Sequence, residues 1–163
     1  MADGLILKDT LKNDIIGRGL QEDILRGLDG ADILRGYGGA DWLYGGESTD
    51  TLNAGSDDYF IFGGNTEDDL RDVVYAGDGD DRVDGSYGND QIYGGAENDT
   101  INIGFCGEWI DCQDGDDQLI DTALSDLIFS GDGFNFINSN FAHDRLNVSY
   151  GGRPVLSSWD FWS

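Results

Sequence analysis

Aliphatic side chains recur every nine residues along almost the whole chain, at Leu7, Ile16, Leu25, Leu34, Leu43, Leu52 and Ile61, then at Val74, Val83, Ile92, Ile101, Ile110, Leu119, Ile128, Ile137, Leu146 and Val155. No member of either series is polar. An acid stands two residues before most of them: Asp14, Asp23, Asp32, Asp41 and Asp50, then Asp72, Asp81, Asp90, Asp99, Glu108, Asp117, Asp126 and Asp144. Tyr59, Asn135 and Arg153 break this acid ladder. With 33 acids in 163 residues, a ladder of that length is no accident of composition, and the period of nine is a structural repeat. The step from Ile61 to Val74 is 13, so the repeat from Gly63 to Tyr75 carries four extra residues, and this reads as the only break in phase.

Each unit is a glycine-rich half ending in an acid, followed by three residues with an apolar centre, as in GLDGADILR (Gly27 to Arg35), GYGGADWLY (Gly36 to Tyr44) and AGDGDDRVD (Ala76 to Asp84). Nine residues are too few for a helix pair. In a three-residue strand the central side chain points one way and its neighbours the other, so the aliphatic centres face inward. A short strand is unstable alone. Two units make one flattened coil of 18 residues, and coils stacked at about 4.8 Å let each strand pair with the strand one coil away. The expected fold is all-β: two short-stranded parallel sheets closed over an aliphatic spine. The chain then divides into degenerate cap coils over 1–26, a first repeat run over 27–62, the enlarged repeat 63–75, a second run over 76–147 and a tail over 148–163.

Charge narrows the partners. Nine basic residues against those 33 acids leave a net charge of −24, which repels phosphate backbones and anionic headgroups, so neither nucleic-acid binding nor membrane insertion is expected. Hard divalent cations suit such an oxygen-rich chain. The N-terminus lacks a basic stretch followed by a long apolar run, and no apolar run approaches ~18 residues, so neither a cleavable signal nor a spanning helix is expected. Cys106 and Cys112 fall in loops on opposite edges and are expected to stay reduced; with His143 the only histidine, they cannot build a structural zinc site.

The units resemble the nonapeptide G-G-x-G-x-D-x-U-x of the RTX (repeats-in-toxin) calcium-binding β-roll, well over Gly27 to Asp126 and weakly in the flanks. That resemblance implies a right-handed parallel β-roll with calcium between loops stacked on the same edge, held by sixth-position Asp side chains and backbone carbonyls. Glycine tolerates positive φ, which lets a loop turn carbonyls toward a shared point where calcium collects six to eight oxygens. The expected ligand pairs are Asp23 with Asp41, Asp32 with Asp50, Asp72 with Asp90, Asp81 with Asp99, and Asp99 with Asp117. Asp29, Asp78 and Asp114, third in their loops, are either water-mediated ligands or solvated. Glycine is scarce in the first loops and absent from DTALSD (Asp121 to Asp126), and Glu108 is longer than Asp, so sites are expected to fail there. Roughly four to eight ions remain, and the metal-free chain is expected to be disordered or expanded until calcium binds.

The exposed positions carry a second signal. Trp42, Tyr44, Phe60 and Phe62 in the first run, and Tyr75, Tyr93 and Trp109 in the second, collect on outer sheet faces and suggest an interaction surface for a glycan or a protein. The alternative is cover from within the chain, by the insertion Asn65 to Arg71 or by Trp159, Phe161 and Trp162. The tail Ser157 to Ser163 is similar to the uncleaved C-terminal signals of RTX proteins exported by type I secretion, and serves equally well as a plug for the last coil. An enzyme is not expected: carboxylates are abundant, but no substrate cleft is legible and neither H-E-x-x-H nor G-x-S-x-G is present. The leading reading is a calcium-binding roll that folds after export. Its rivals are a calcium-stabilised adhesion module using the aromatic face and an enzyme built on the roll surface.

Overall fold

The computed structural model describes residues 6–8, 11–17, 19–121, 125–138, 144–147 and 155–156. Its strands follow the nonapeptide: β1 (Ile6–Lys8), β2 (Ile15–Gly17), β3 (Ile24–Asp29), β4 (Ile33–Tyr37), β5 (Trp42–Glu47) and β6 (Thr51–Gly55). Next come β7 (Phe60–Gly64), β8 (Val73–Asp78), β9 (Arg82–Asp84), β10 (Gln91–Ala96), β11 (Thr100–Asn102) and β12 (Trp109–Asp114). The last are β13 (Gln118–Ile120), β14 (Leu127–Phe129), β15 (Phe136–Asn138), β16 (Arg145–Asn147) and β17 (Val155–Leu156). Odd-numbered strands stack into a nine-stranded sheet and even-numbered strands into an eight-stranded one. All pairings are parallel and join strands two apart in sequence, as in Leu25↔Leu43 and Ile92↔Ile110. The molecule is the expected parallel β-solenoid, 18 residues to the coil.

Alternation within each strand explains the core. Leu25, Leu34, Leu43, Leu52, Ile61, Val74, Ile92, Ile101, Ile110 and Leu119 are fully buried, and their neighbours on either side face outward. Each coil thus buries two aliphatic side chains in the spine between the sheets, worth about 1.5–3 kcal/mol apiece before the entropy of ordering the coil is subtracted.

Several strands run to five or six residues where three were expected, because pairing continues into the loops, as in Leu28↔Gly46 and Gly95↔Gln113. The loops stack in register one coil apart, so their backbones go on exchanging ladder bonds past the apolar centre. Such close approach needs glycine at crowded points. Gly46 has φ +123°, and a Cβ there would lie 1.9 Å from the Leu28 carbonyl oxygen; Gly95 meets the Gly77 carbonyl in the same way at 1.8 Å.

One expectation about phase requires correction. The insertion is not the only break, because Ile137 pairs with Leu156 and Phe136 with Val155. The step from Leu146 is therefore ten, and Leu156 takes the central place assigned to Val155. The outward aromatics form two clusters: Trp42, Tyr44, Phe60 and Phe62 lie on the nine-stranded sheet, whereas Tyr75, Tyr93 and Trp109 lie on the eight-stranded one. The reason is simple: four residues added to a loop leave the alternation of strands between sheets untouched.

The insertion itself stays at the rim. Leu70 N donates to the Ser48 carbonyl at 3.2 Å and Asn89 N to the Leu70 carbonyl at 3.2 Å, so Leu70 fills an ordinary loop position and the extra residues bulge before it. The bulge lies in the loop between β7 and β8. Trp159, Phe161 and Trp162, the other candidates for cover, lie outside the described residues, as does the tail proposed as signal or plug.

Candidate metal centre

The loops form two edges. Loops entering the eight-stranded sheet carry Asp14, Asp32, Asp50, Asp72, Asp90, Glu108, Asp126 and Asp144 at the sixth position, and loops entering the nine-stranded sheet carry Asp23, Asp41, Tyr59, Asp81, Asp99, Asp117 and Asn135. These are called the first and second edge below.

On both edges the carboxylates are buried by their own hydrogen bonds. Asp32 N donates to Asp50 Oδ1 at 2.7 Å, Asp72 N to Asp90 Oδ1 at 2.8 Å, Asp23 N to Asp41 Oδ1 at 2.7 Å, and Asp81 N and Asp99 N to Asp99 Oδ1 and Asp117 Oδ1, each at 3.0 Å. All five pairs expected from sequence are neighbours in these rows. Asp50 N also donates to Asp72 Oδ1 at 2.7 Å across the insertion, a link that a fixed spacing could not reveal. The carbonyl of each sixth residue is used as well, as where Trp42 N donates to the Asp23 carbonyl at 2.9 Å.

What remains is Oδ2. In Asp32, Asp41, Asp50, Asp72, Asp81, Asp90, Asp99 and Asp117 this oxygen is buried with no hydrogen-bond partner, as are Asp126 Oδ2 and Glu108 Oε2. A buried anionic oxygen without a partner is expensive, and a row of them calls for cations or protons. The surroundings show which space they face. A Cβ added to Gly27 would lie 2.4 Å from the Gly45 carbonyl oxygen and 2.5 Å from Asp32 Oδ2. One at Gly45 would meet Asp50 Oδ2 and the Gly63 carbonyl at 2.7 Å each, and one at Gly94 the Cys112 carbonyl at 2.6 Å and Asp99 Oδ2 at 2.7 Å. At Gly27, Gly45, Gly63 and Gly94 carboxylate and carbonyl oxygens thus converge on a cradle kept open because the loop's first residue lacks a side chain. Oxygen-only donors of this kind suit calcium.

Without a cation, burial makes the carboxyls keep their protons to higher pH. Burial pushes Asp41, Asp50, Asp81 and Asp90 up to about 7, Asp99 to about 8 and Asp117 to about 6, against partial relief from the backbone N–H groups they accept. Asp72 rises furthest among the aspartates, to about 9, through burial with a further push from Asp69, Asp90 and Asp50. Asp32 is raised for the same first reason.

The edges also contain departures. Tyr59 is fully buried, and its ring would lie 2.5 Å from a Cβ at Gly36, so on the second edge a phenol fills the cradle that Asp41 Oδ2 faces. At Glu108 the Oε1 accepts from Cys106 N in its own loop at 2.9 Å, and Ile103 puts an apolar side chain into that loop's first position. Cys112 does likewise, buried and unpaired, with its thiol pushed up by burial. Asn135 substitutes an amide oxygen for the acid, accepting from Asp117 N at 2.8 Å.

Sequence reasoning missed Asp69. It lies within the insertion, only 8% exposed; its Oδ1 accepts from Leu70 N at 2.9 Å and its Oδ2 is buried without a partner. Burial pushes its carboxyl up to about 6. The carboxylate folds back against Gly64, where a Cβ would lie 1.7 Å from Oδ2, and so adds a charge beside Asp50 and Asp72. The adjacent pair Gly63–Gly64 ahead of an acidic insertion was the available signal.

A parallel solenoid with a carboxylate row along each loop edge defines a cation-binding roll. The RTX calcium-binding nonapeptide repeat matches four times, over residues 19–52, 26–61, 44–71 and 68–101, and the chain belongs to that family. No curated protein matches the chain.

Proposed function

We propose that this chain is a calcium-driven folding module, taken up by type I secretion and ordered outside the cell where calcium is plentiful. Asp32, Asp41 and Asp50 of the run 27–62, Asp81, Asp90, Asp99 and Asp117 of the run 76–147, and Asp23 and Asp72 just outside them supply the side-chain ligands for four to eight ions. The observation that carries this reading is the row of buried Oδ2 atoms without partners, of which those of Asp32, Asp50, Asp72 and Asp99 face a glycine-kept cradle shared with a carbonyl. A bound ion would supply the positive charge there. Ions that bind the folded and not the unfolded chain draw their binding energy into folding, and here each coil has only two spine residues to oppose carboxylate repulsion. Far-ultraviolet circular dichroism with size-exclusion chromatography tests it. In chelator the chain should be expanded and poor in strand; millimolar calcium should compact it. A compact, strand-rich chain in chelator at neutral pH would contradict the reading.

A second reading, adhesion to a glycan or protein, is favoured by the ring platform on the nine-stranded sheet. Trp42 stacks on Phe60 at 4.4 Å and Tyr44 on Phe62 at 4.9 Å, with Arg26 over Tyr44 and Arg82 over Phe60. The rings are parallel and stacked face to face along the sheet, so what they offer a partner is a row of apolar edges, with Trp42 39% exposed. Under this reading W42A abolishes binding on a calcium-loaded glycan array while leaving calcium-induced folding intact.

A further inference from the structure

We infer that a groove on the outside of the first edge binds a short acidic peptide, laid along the stack of coils with its carboxylates on Arg71 and Arg145. This surface is separate from the Trp42 ring cluster and needs only the folded roll. The groove has a volume of about 660 Å³ and crosses successive coils where the loops bend into the eight-stranded sheet, with Arg71 toward one end and Arg145 toward the other.

Charge sets this strip apart. In a chain with 33 acids, the residue before each sixth-position acid of the first edge, from Asn13 to Ser125, is never acidic, and neither is the residue after it, from Ile15 to Arg145. On the second edge the former place holds Glu22, Asp58, Asp80 and Asp116. Asp90, Glu108 and Asp126 also border the groove, but they are buried and accept from backbone N–H groups inside the loops: Asp90 Oδ1 from Asp72 N at 2.8 Å, Glu108 Oε1 from Cys106 N and Asp126 Oδ1 from Glu108 N at 2.9 Å each. What the groove presents to a ligand is two guanidinium groups, both on exposed residues. Among the described residues neither is held in a salt bridge, and Arg71 merely lies near Asp90. A guanidinium fork matches a carboxylate through two parallel hydrogen bonds.

The space between the arginines selects the ligand. Arg71 leads into β8 and Arg145 opens β16, four coils away, or about 19 Å along the stack. An extended peptide rises about 3.3 Å per residue, so acids at i and i+6 reach both arginines and share one face with i+2 and i+4. That face meets Trp109 and Leu127, both half-buried, so apolar side chains suit the middle positions. Trp109 is flanked by tilted rings, Tyr93 at 5.0 Å and 56° and Phe129 at 5.4 Å and 47°, and offers an apolar wall rather than the open ring face a sugar would need. Asn89 Nδ2 donates to the Gly107 carbonyl at 3.1 Å, which leaves Asn89 Oδ1 and the Gln91 amide for a peptide backbone. A long polyanion would meet the net charge of −24 beyond the groove, whereas a short peptide ends within it.

Fluorescence anisotropy with the full chain, folded in calcium, and the peptide DSLSLSD, carrying a neutral fluorophore at one end and an amide at the other, tests the assignment. R71A and R145A should each weaken binding about three- to tenfold and leave the circular dichroism unchanged, since both side chains are exposed. The double variant R71E/R145E should lose DSLSLSD and gain KSLSLSK, an exchange that a purely structural role for the arginines would not produce. Serine in place of both leucines should weaken binding to the wild-type chain. Absence of binding, or binding of DSLSLSD that neither R71A nor R145A changes, would overturn the proposal. A hyaluronan hexasaccharide bound more tightly than the peptide, and lost in the same variants, would overturn the peptide as ligand and make the groove a saccharide site.

Discussion

The two edges of the roll share one spine and differ in what lines them. Along the first, eight acids follow one another without interruption from Asp14 to Asp144, reinforced by Asp69 from the insertion and Asp121 from a first position. Along the second, Tyr59 divides Asp23 and Asp41 from Asp81, Asp99 and Asp117, and Asn135 follows. The space beside Asp41 that would hold an ion is filled by a ring, which closes the loop by apolar contact instead of charge. One loop geometry thus admits two solutions. The first edge calls for counter-ions along its length, while the second contains a stretch where a buried ring takes the place of charge.

The strongest way to break this comparison is at Asp72. It is fully buried and accepts from Asp50 N, while its own N donates to Asp90 Oδ1, so it connects both halves of the first row. D72N should raise the calcium concentration at the folding midpoint by more than about tenfold, because coils propagate order only through their neighbours. D117N, next to Asn135, should shift the same midpoint by less than about threefold. Equal shifts would show that the edges do not differ.

Y59D sharpens the contrast by restoring an acid to the second edge. Losing a buried ring should cost the folded roll about 3–5 kcal/mol of packing, and the opened cradle should take one more ion in a calorimetric titration. A smaller effect follows from protonation. The acids on both edges have pKa values raised above their unfolded ones, so their contribution to stability is complete below about pH 4 and is lost as pH rises through 6 to 9. In chelator, strand content should therefore be greater at pH 5 than at pH 8, whereas calcium, which competes with those protons, should bind more weakly at pH 5. The reverse order in chelator would contradict the burial of the rows.

Much of this architecture is legible in the sequence because a period of nine leaves few choices. An apolar centre at every ninth residue, an acid two residues earlier and glycines ahead of that acid fix strand, face and edge together. The rows of Asp32, Asp50, Asp72 and Asp90, and of Asp81, Asp99 and Asp117, follow from that count. What the count misses lies where the period stops acting. Asp69 belongs to an insertion with no repeat to place it, and only its fold against Gly64 brings it to the row. The pairing of Ile137 with Leu156 depends on a one-residue addition that an aliphatic at Val155 disguises. The separation of the Trp42 cluster from the Trp109 cluster was available by counting strands, since β6 pairs with β8 whatever the length of the loop between β7 and β8.

The most direct measurement is diffraction from crystals grown in calcium, with anomalous scattering to locate the ions. The account predicts ions within about 2.3–2.6 Å of sixth-position carboxylate oxygens on both edges, together with a gap beside Tyr59. Carboxylate rows bridged only by water or by one another, with no anomalous peak on either edge, would contradict it.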